Sequence, residues 1–175
     1  MTSNFNPSSI VKEELKTDLK SNLLNNDIGK RVIEKAHLTQ EYLAIEEDYI
    51  PLSSNTKFDF VVYSTKPNSH HIIGFLVITD RHFKSKKEEI LEALSLCHEL
   101  YLVIDLSRSN HLFDLLEDED LSQIGVIGRM RNHKMAISKV PEKHLINLNP
   151  HMDLFQRKNE RLDQDDSIHQ RYISG

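Results

Sequence analysis

The chain switches between two hydrophobic periods, and the switches mark its elements. From Ile10 onward, Val11, Leu15, Leu19 and Leu23 recur at four-residue spacing, while Lys12, Glu13, Lys16, Asp18 and Lys20 take other positions. That spacing predicts an amphipathic helix from near Ser9 to the Asn25, Asn26, Asp27 run. Ile28, Val32, Ile33 and Ala36 carry a second helical pattern. The segment YLAIEEDYI (42–50) fits either a helix end or a strand. A strand over its C-terminal part is favoured, because Pro51 and the polar run from Ser53 to Thr56 then form a turn.

The period shortens to two in KFDFVVYS (57–64), where Phe58, Phe60 and Val62 alternate with Asp59, Val61 and Tyr63. Pro67, Asn68 and Ser69 punctuate its end. The next run, HIIGFLVIT (71–79), is apolar nearly throughout, as expected of a central strand covered on both faces. Lys84 to Cys97 returns to helical spacing through Ile90, Leu91, Leu94 and Cys97, and LYLVIDL (100–106) is again a strand. A strand, a helix and a strand in succession predict parallel neighbours. A short acidic helix (112–121), two small strands (124–128 and 135–140) and a helix near 152–161 follow. The result is one α/β domain over residues 9–155, a central mixed sheet of four to five strands flanked by helices. A polar arm (1–8) precedes it and a polar, flexible tail (156–175) follows.

Composition narrows the setting. The longest apolar stretch, Ile72 to Ile78, falls far short of the roughly 20 residues a membrane helix needs. Cys97 is the single cysteine, so no intramolecular disulfide forms and a reducing, cytoplasmic setting is expected. The formal charge of −5 gives no global field to attract nucleic acid. Two local basic patches remain: Arg81, His82, Lys84, Lys86 and Lys87, and Arg129, Arg131, His133 and Lys134. The acidic run Glu117 to Asp120 repels phosphate and suits a helix cap or a protein partner.

Other chemistries fail on spacing. His70 and His71 are consecutive and point to opposite faces of a strand, so they do not share a metal. There is no His-Glu-x-x-His or Cys-x-x-Cys pattern for zinc, no Gly-x-Ser-x-Gly turn, and no Lys-Ser/Thr ending to the Gly125-x-x-Gly128 segment. Cys97 lies on the apolar face of its helix and reads as a small core residue.

The order helix, acidic strand, strand with an early Asp, buried strand, helix, strand resembles the core of the PD-(D/E)XK nuclease superfamily, especially its small stand-alone bacterial members. The features that carry the resemblance are Asp59 within FDFVVYS, the Gly74-Phe75 pair, LCHELYLVID after the crossover helix, LSQIGVIGRM, and Asn149-Pro150. It spans roughly residues 9–155 and implies a restriction-endonuclease-like fold. It also implies Mg²⁺ held beside the scissile phosphate by a second-strand Asp and a third-strand acid, with a Lys two positions after that acid. Asp59 matches the first ligand. Aligning on Gly74-Phe75 places Leu76 at the acid and Ile78 at the lysine, and neither does that work.

The expected function is therefore a catalytically degenerate nuclease-like protein, a DNA- or protein-binding or regulatory module. The resemblance suggests a bacterial defence or mobile-element setting. No cofactor is expected. One alternative is an active Mg²⁺-dependent endonuclease with migrated groups: Glu46, Asp59, Asp80 and Lys84 as catalytic candidates, with Asp59 and Asp80 on the metal. Another is a purely protein-interacting or oligomerising domain. Nucleic acid, if bound, is expected at Arg81, Lys84, Lys86, Lys87, Arg129 and Arg131.

Overall fold

A computed structural model describes residues 7–25, 27–38, 42–66, 69–79, 86–106 and 117–156. The elements in order are α1 (Pro7–Asn25), α2 (Asp27–Lys35), β1 (Leu43–Tyr49), β2 (Phe58–Ser64), β3 (His71–Val77), α3 (Lys87–Ser95), β4 (Glu99–Asp105), β5 (Gly125–Arg129) and β6 (Met135–Lys139). Short 3-10 turns occupy Glu119–Leu121 and Asn149–His151, and residues 152–156 are helical. Among the described residues, no helix is long and apolar enough to cross a membrane.

All six strands join one mixed sheet in chain order, β1 to β6. β1, β2 and β3 form an antiparallel meander; β3, β4 and β5 are parallel; β6 returns antiparallel to β5. The expected parallel β3–β4 pair, joined through α3, is present. The sheet exceeds the four to five strands expected because the ambiguous 42–50 segment is extended over Leu43–Tyr49 and both short C-terminal strands pair.

The central strands are buried on both faces, which explains their nearly continuous apolar sequence. On one face, Leu15, Leu19 and Leu23 of α1, Ile28 and Val32 of α2, and Ala36 just after it pack on Phe60, Val62, Ile73, Phe75, Val77, Tyr101 and Val103. Each fully buried leucine is worth about 1.5–3 kcal/mol, so the α1 stripe alone anchors the helix. On the other face, Ile90 and Ala93 of α3, Cys97, Leu154 and Phe155 cover Val61, Tyr63, Ile72, Leu76, Leu100 and Leu102. Burial pushes the Cys97 thiol up, in keeping with a core role. Gly29 lets α2 turn tightly off α1, because a Cβ there would run into the Leu23 carbonyl.

Candidate functional site

Asp59 stands where the β1–β2 hairpin changes hands. In the β1–β2 register, Glu47 faces Phe60 and Tyr49 faces Phe58. Phe60 packs under α1, yet Phe58 and Tyr49 join the cluster under α3. Strict alternation would put Phe58 and Phe60 on one face. The switch is made at Asp48 and Asp59, and Asp48 has a left-handed φ of 51°. Gly74 makes room for the displaced ring: a Cβ there would lie 2.5 Å from Phe58 Cε1.

The last β2–β3 pair is Phe60 with Phe75, and beyond it the Asp59 carboxylate takes over from the backbone. Val77 N–H donates to Asp59 Oδ2 at 2.7 Å. The other carboxylate oxygen faces α1, with Lys12 Nζ at 3.8 Å and Lys16 Nζ at 3.9 Å. Lys16 also donates to Asp48 Oδ1 at 2.8 Å, and Lys57 Nζ lies 3.4 Å from the same oxygen. Three ammoniums thus surround two carboxylates. Burial pushes the Asp59 carboxyl up, against the Val77 N–H and the Lys12 and Lys16 charges. For Lys16, burial alone would lower the pKa; the Asp48 hydrogen bond and the nearby carboxylates raise it instead. The Lys16 hydrogen bond draws Asp48 down.

A mirror-image cluster lies farther along the sheet. Arg129, the last residue of β5, is 6% exposed, and its guanidinium donates to Asp105 at 2.9 Å and to Asp18 of α1 at 2.8 Å. Glu14 lies 3.8 Å away, and His133 Nδ1 is 2.9 Å from Asp18 Oδ2. At the opposite end of the strands, His71 pairs with Glu99 at 2.8 Å and stacks on His98. Ile72 N–H donates to His98 Nδ1 at 3.0 Å. Two residues of the C-terminal segment, His144 and His151, place Nε2 2.7 Å from the Leu94 carbonyl and 2.6 Å from the Leu96 carbonyl at the end of α3. Burial, then neighbouring positive charge, pushes His98 down to about 4, so the ring is neutral.

The structure distributes the expected site residues unevenly. Asp59 is buried at the hairpin switch. Glu46 lies two residues after Ala44 and opposite Val61, both of which pack toward α3. Leu76 and Ile78 are core residues under α3, at 8% and 6% exposure. Asp80, Arg81, His82 and Lys84 lie outside the described residues. Lys86 is half-buried, and Lys87 is held by Asp118 and Asp120, each at 2.9 Å. The second basic patch divides, with Arg131 and Lys134 exposed and Arg129 turned inward onto carboxylates. The acidic run serves as a cap: Asp118 Oδ1 accepts the Asp120 N–H.

The residues that sequence reasoning passed over are Lys12, Lys16, Asp48, Asp18 and Asp105. Their signal was a lysine stripe at 12, 16 and 20 and an acidic stripe at 14 and 18, each at helical spacing beside the apolar stripe. Among the described residues, no group of three or more His, Cys, Asp or Glu is placed to hold a metal ion.

No family model matches the chain, and no curated protein matches it. Among solved structures, it is similar to the SPO1766 protein of unknown function from Silicibacter pomeroyi, with a TM-score of 0.50 and 12% identity, covering 71% of this chain and 77% of that one. At that identity the likeness shows a shared α/β fold and nothing about activity.

Proposed function

We propose that the protein is a non-catalytic binding or regulatory module on a nuclease-like framework. The observation that carries this reading is the environment of Asp59. A divalent cation on such a carboxylate needs further oxygen ligands and a net negative cradle. Here one oxygen is taken by Val77 N–H, the other faces two ammoniums, and the opposing Asp48 already has two lysine partners. Adding two positive charges to three ammoniums and two carboxylates is electrostatically unfavourable. Among the described residues, those around Asp59 do not fit a metal. The order of elements, with an antiparallel meander, a helix and a parallel fourth strand, supports the framework part of the reading.

Calorimetric titration with Mn²⁺ of the intact chain and of Asp59→Ala tests the proposal. Heats of dilution alone are expected from both. Saturable binding that disappears in Asp59→Ala would overturn it and restore the hydrolytic alternative.

A further inference from the structure

Eleven of the described lysines and arginines fall into two groups; Lys66, which is exposed after β2, and Lys86, Lys139 and Lys143 stand outside them. Lys12, Lys16, Lys20, Lys57, Lys87 and Arg129 each have a carboxylate partner. Lys30, Arg31 and Lys35 of α2, and Arg131 and Lys134 of the β5–β6 turn, are exposed and have no ion-pair partner among the described residues. This second group lies on α2 and on the turn that leads into β6, the strand beside which α2 packs.

Its placement follows from the packing. α2 buries Ile28 and Val32, and Ala36 after it is buried too, which turns Lys30, Arg31, Glu34 and Lys35 outward. The helix packs beside β6. At one end of this face, Lys143 Nζ donates to the Ala36 carbonyl and ties residues after β6 to the end of α2. The β5–β6 turn is fastened to α1 through His133 and Asp18, with Arg131 and Lys134 flanking the fastening residue. Residues 27–38 and 130–144 together contain seven lysines and arginines against the three carboxylates of Asp27, Glu34 and Glu142, in a chain of net charge −5. Arg31 and Lys35 are like charges at i,i+4, an arrangement that destabilises a helix in isolation.

We propose that the exposed cations of α2 and the β5–β6 turn form a docking strip for the phosphate backbone of a nucleic-acid duplex. The nine residues of α2 span about 13 Å at 1.5 Å per residue, enough to follow several phosphates. α2 exposes none of the large apolar side chains that a protein interface needs at its core, and the β5–β6 turn exposes one, Met130. The strip touches the backbone alone, so it positions the duplex without reading its sequence. β6, beside which α2 packs, is four strands away from β2, the strand that carries Asp59.

The test is fluorescence-anisotropy binding of the intact chain to a labelled duplex of about 30 base pairs, between about 50 and about 200 mM salt. Each phosphate left without its cation should reduce the salt-induced drop in affinity by about 3.5-fold over that range. R31Q/K35Q and, on a separate element, R131Q/K134Q should each weaken binding and flatten its salt dependence, while K66Q should bind like the parent. Melting curves identify any variant that fails to fold, and the other pair then decides. A parent that ignores the duplex overturns the proposal, as does binding unchanged in both pairs. Cleavage of the same duplex with Mn²⁺ present would instead overturn the non-catalytic reading and leave the strip standing.

Discussion

The two ionic clusters under α1 are built from opposite halves of the same device. Around Asp59 the helix supplies cations to carboxylates of the β1–β2 hairpin; around Arg129 the helix supplies carboxylates, which join Asp105 of β4 about a cation of the sheet. Between these flanks run Leu15, Leu19 and Leu23, buried on the sheet. The apolar stripe attaches the helix, but it tolerates rotation and sliding. The two flanks of opposite sign do not, since reversing or shifting α1 would set like charges against each other. Charges that look solvated in the sequence therefore fix the placement of a helix.

The clusters differ in burial, and this sets the order of the predicted effects. Arg129→Met leaves Asp105, at 4% exposure, without its guanidinium. The expected loss is about 3–5 kcal/mol in urea denaturation, the range for breaking a buried pair. A loss below about 1 kcal/mol would mean that the cluster contributes no more than a surface pair. At the other flank, Asp59→Ala strands the Val77 N–H and is expected to cost about 1–3 kcal/mol. Asp59→Asn keeps an acceptor for that N–H and should cost less; equal losses would show that the hydrogen bond does not matter.

Acid should act at the histidine end of the sheet. The folded pKa of His98 lies below its ordinary value of 6.5, at about 4, so its stability contribution is present above 6.5 and is lost as pH falls through about 4. Asp59 works in the opposite direction: its raised carboxyl favours the folded state at low pH, and that gain is lost as pH rises through its folded pKa. An NMR titration of the His98 ring separates the two. A midpoint near 4 is expected, and one near 6.5 would contradict the buried neutral ring. The smallest effect is assigned to Lys20→Ala, whose exposed pair with Glu47 should contribute under about 0.5 kcal/mol by the same denaturation assay.

Much of this architecture was legible in the chain. Leu15, Leu19 and Leu23 announced the buried stripe of α1, and the apolar run from Ile72 announced a central strand, because burial imposes a period on the sequence. The site was less legible. Lys16 and Glu13 look alike as polar positions on a helix, yet only Lys16 is buried, at 8% exposure. Which charge is drawn in depends on the carboxylate opposite, and therefore on the face switch at Asp48 and Asp59. Period-two alternation gives no hint that Phe58 leaves the face of Phe60. Arg129 sat in an evident basic patch, but its inward direction follows from its place as the final β5 residue beside Asp105, a tertiary fact.

Lysine ammoniums from α1 close the Asp59 site. A double-mutant cycle on Lys16→Met and Asp59→Asn, read by urea denaturation, tests it most directly. A favourable coupling of at least about 0.5 kcal/mol between the two residues is predicted. Additive losses, with no coupling, would contradict it.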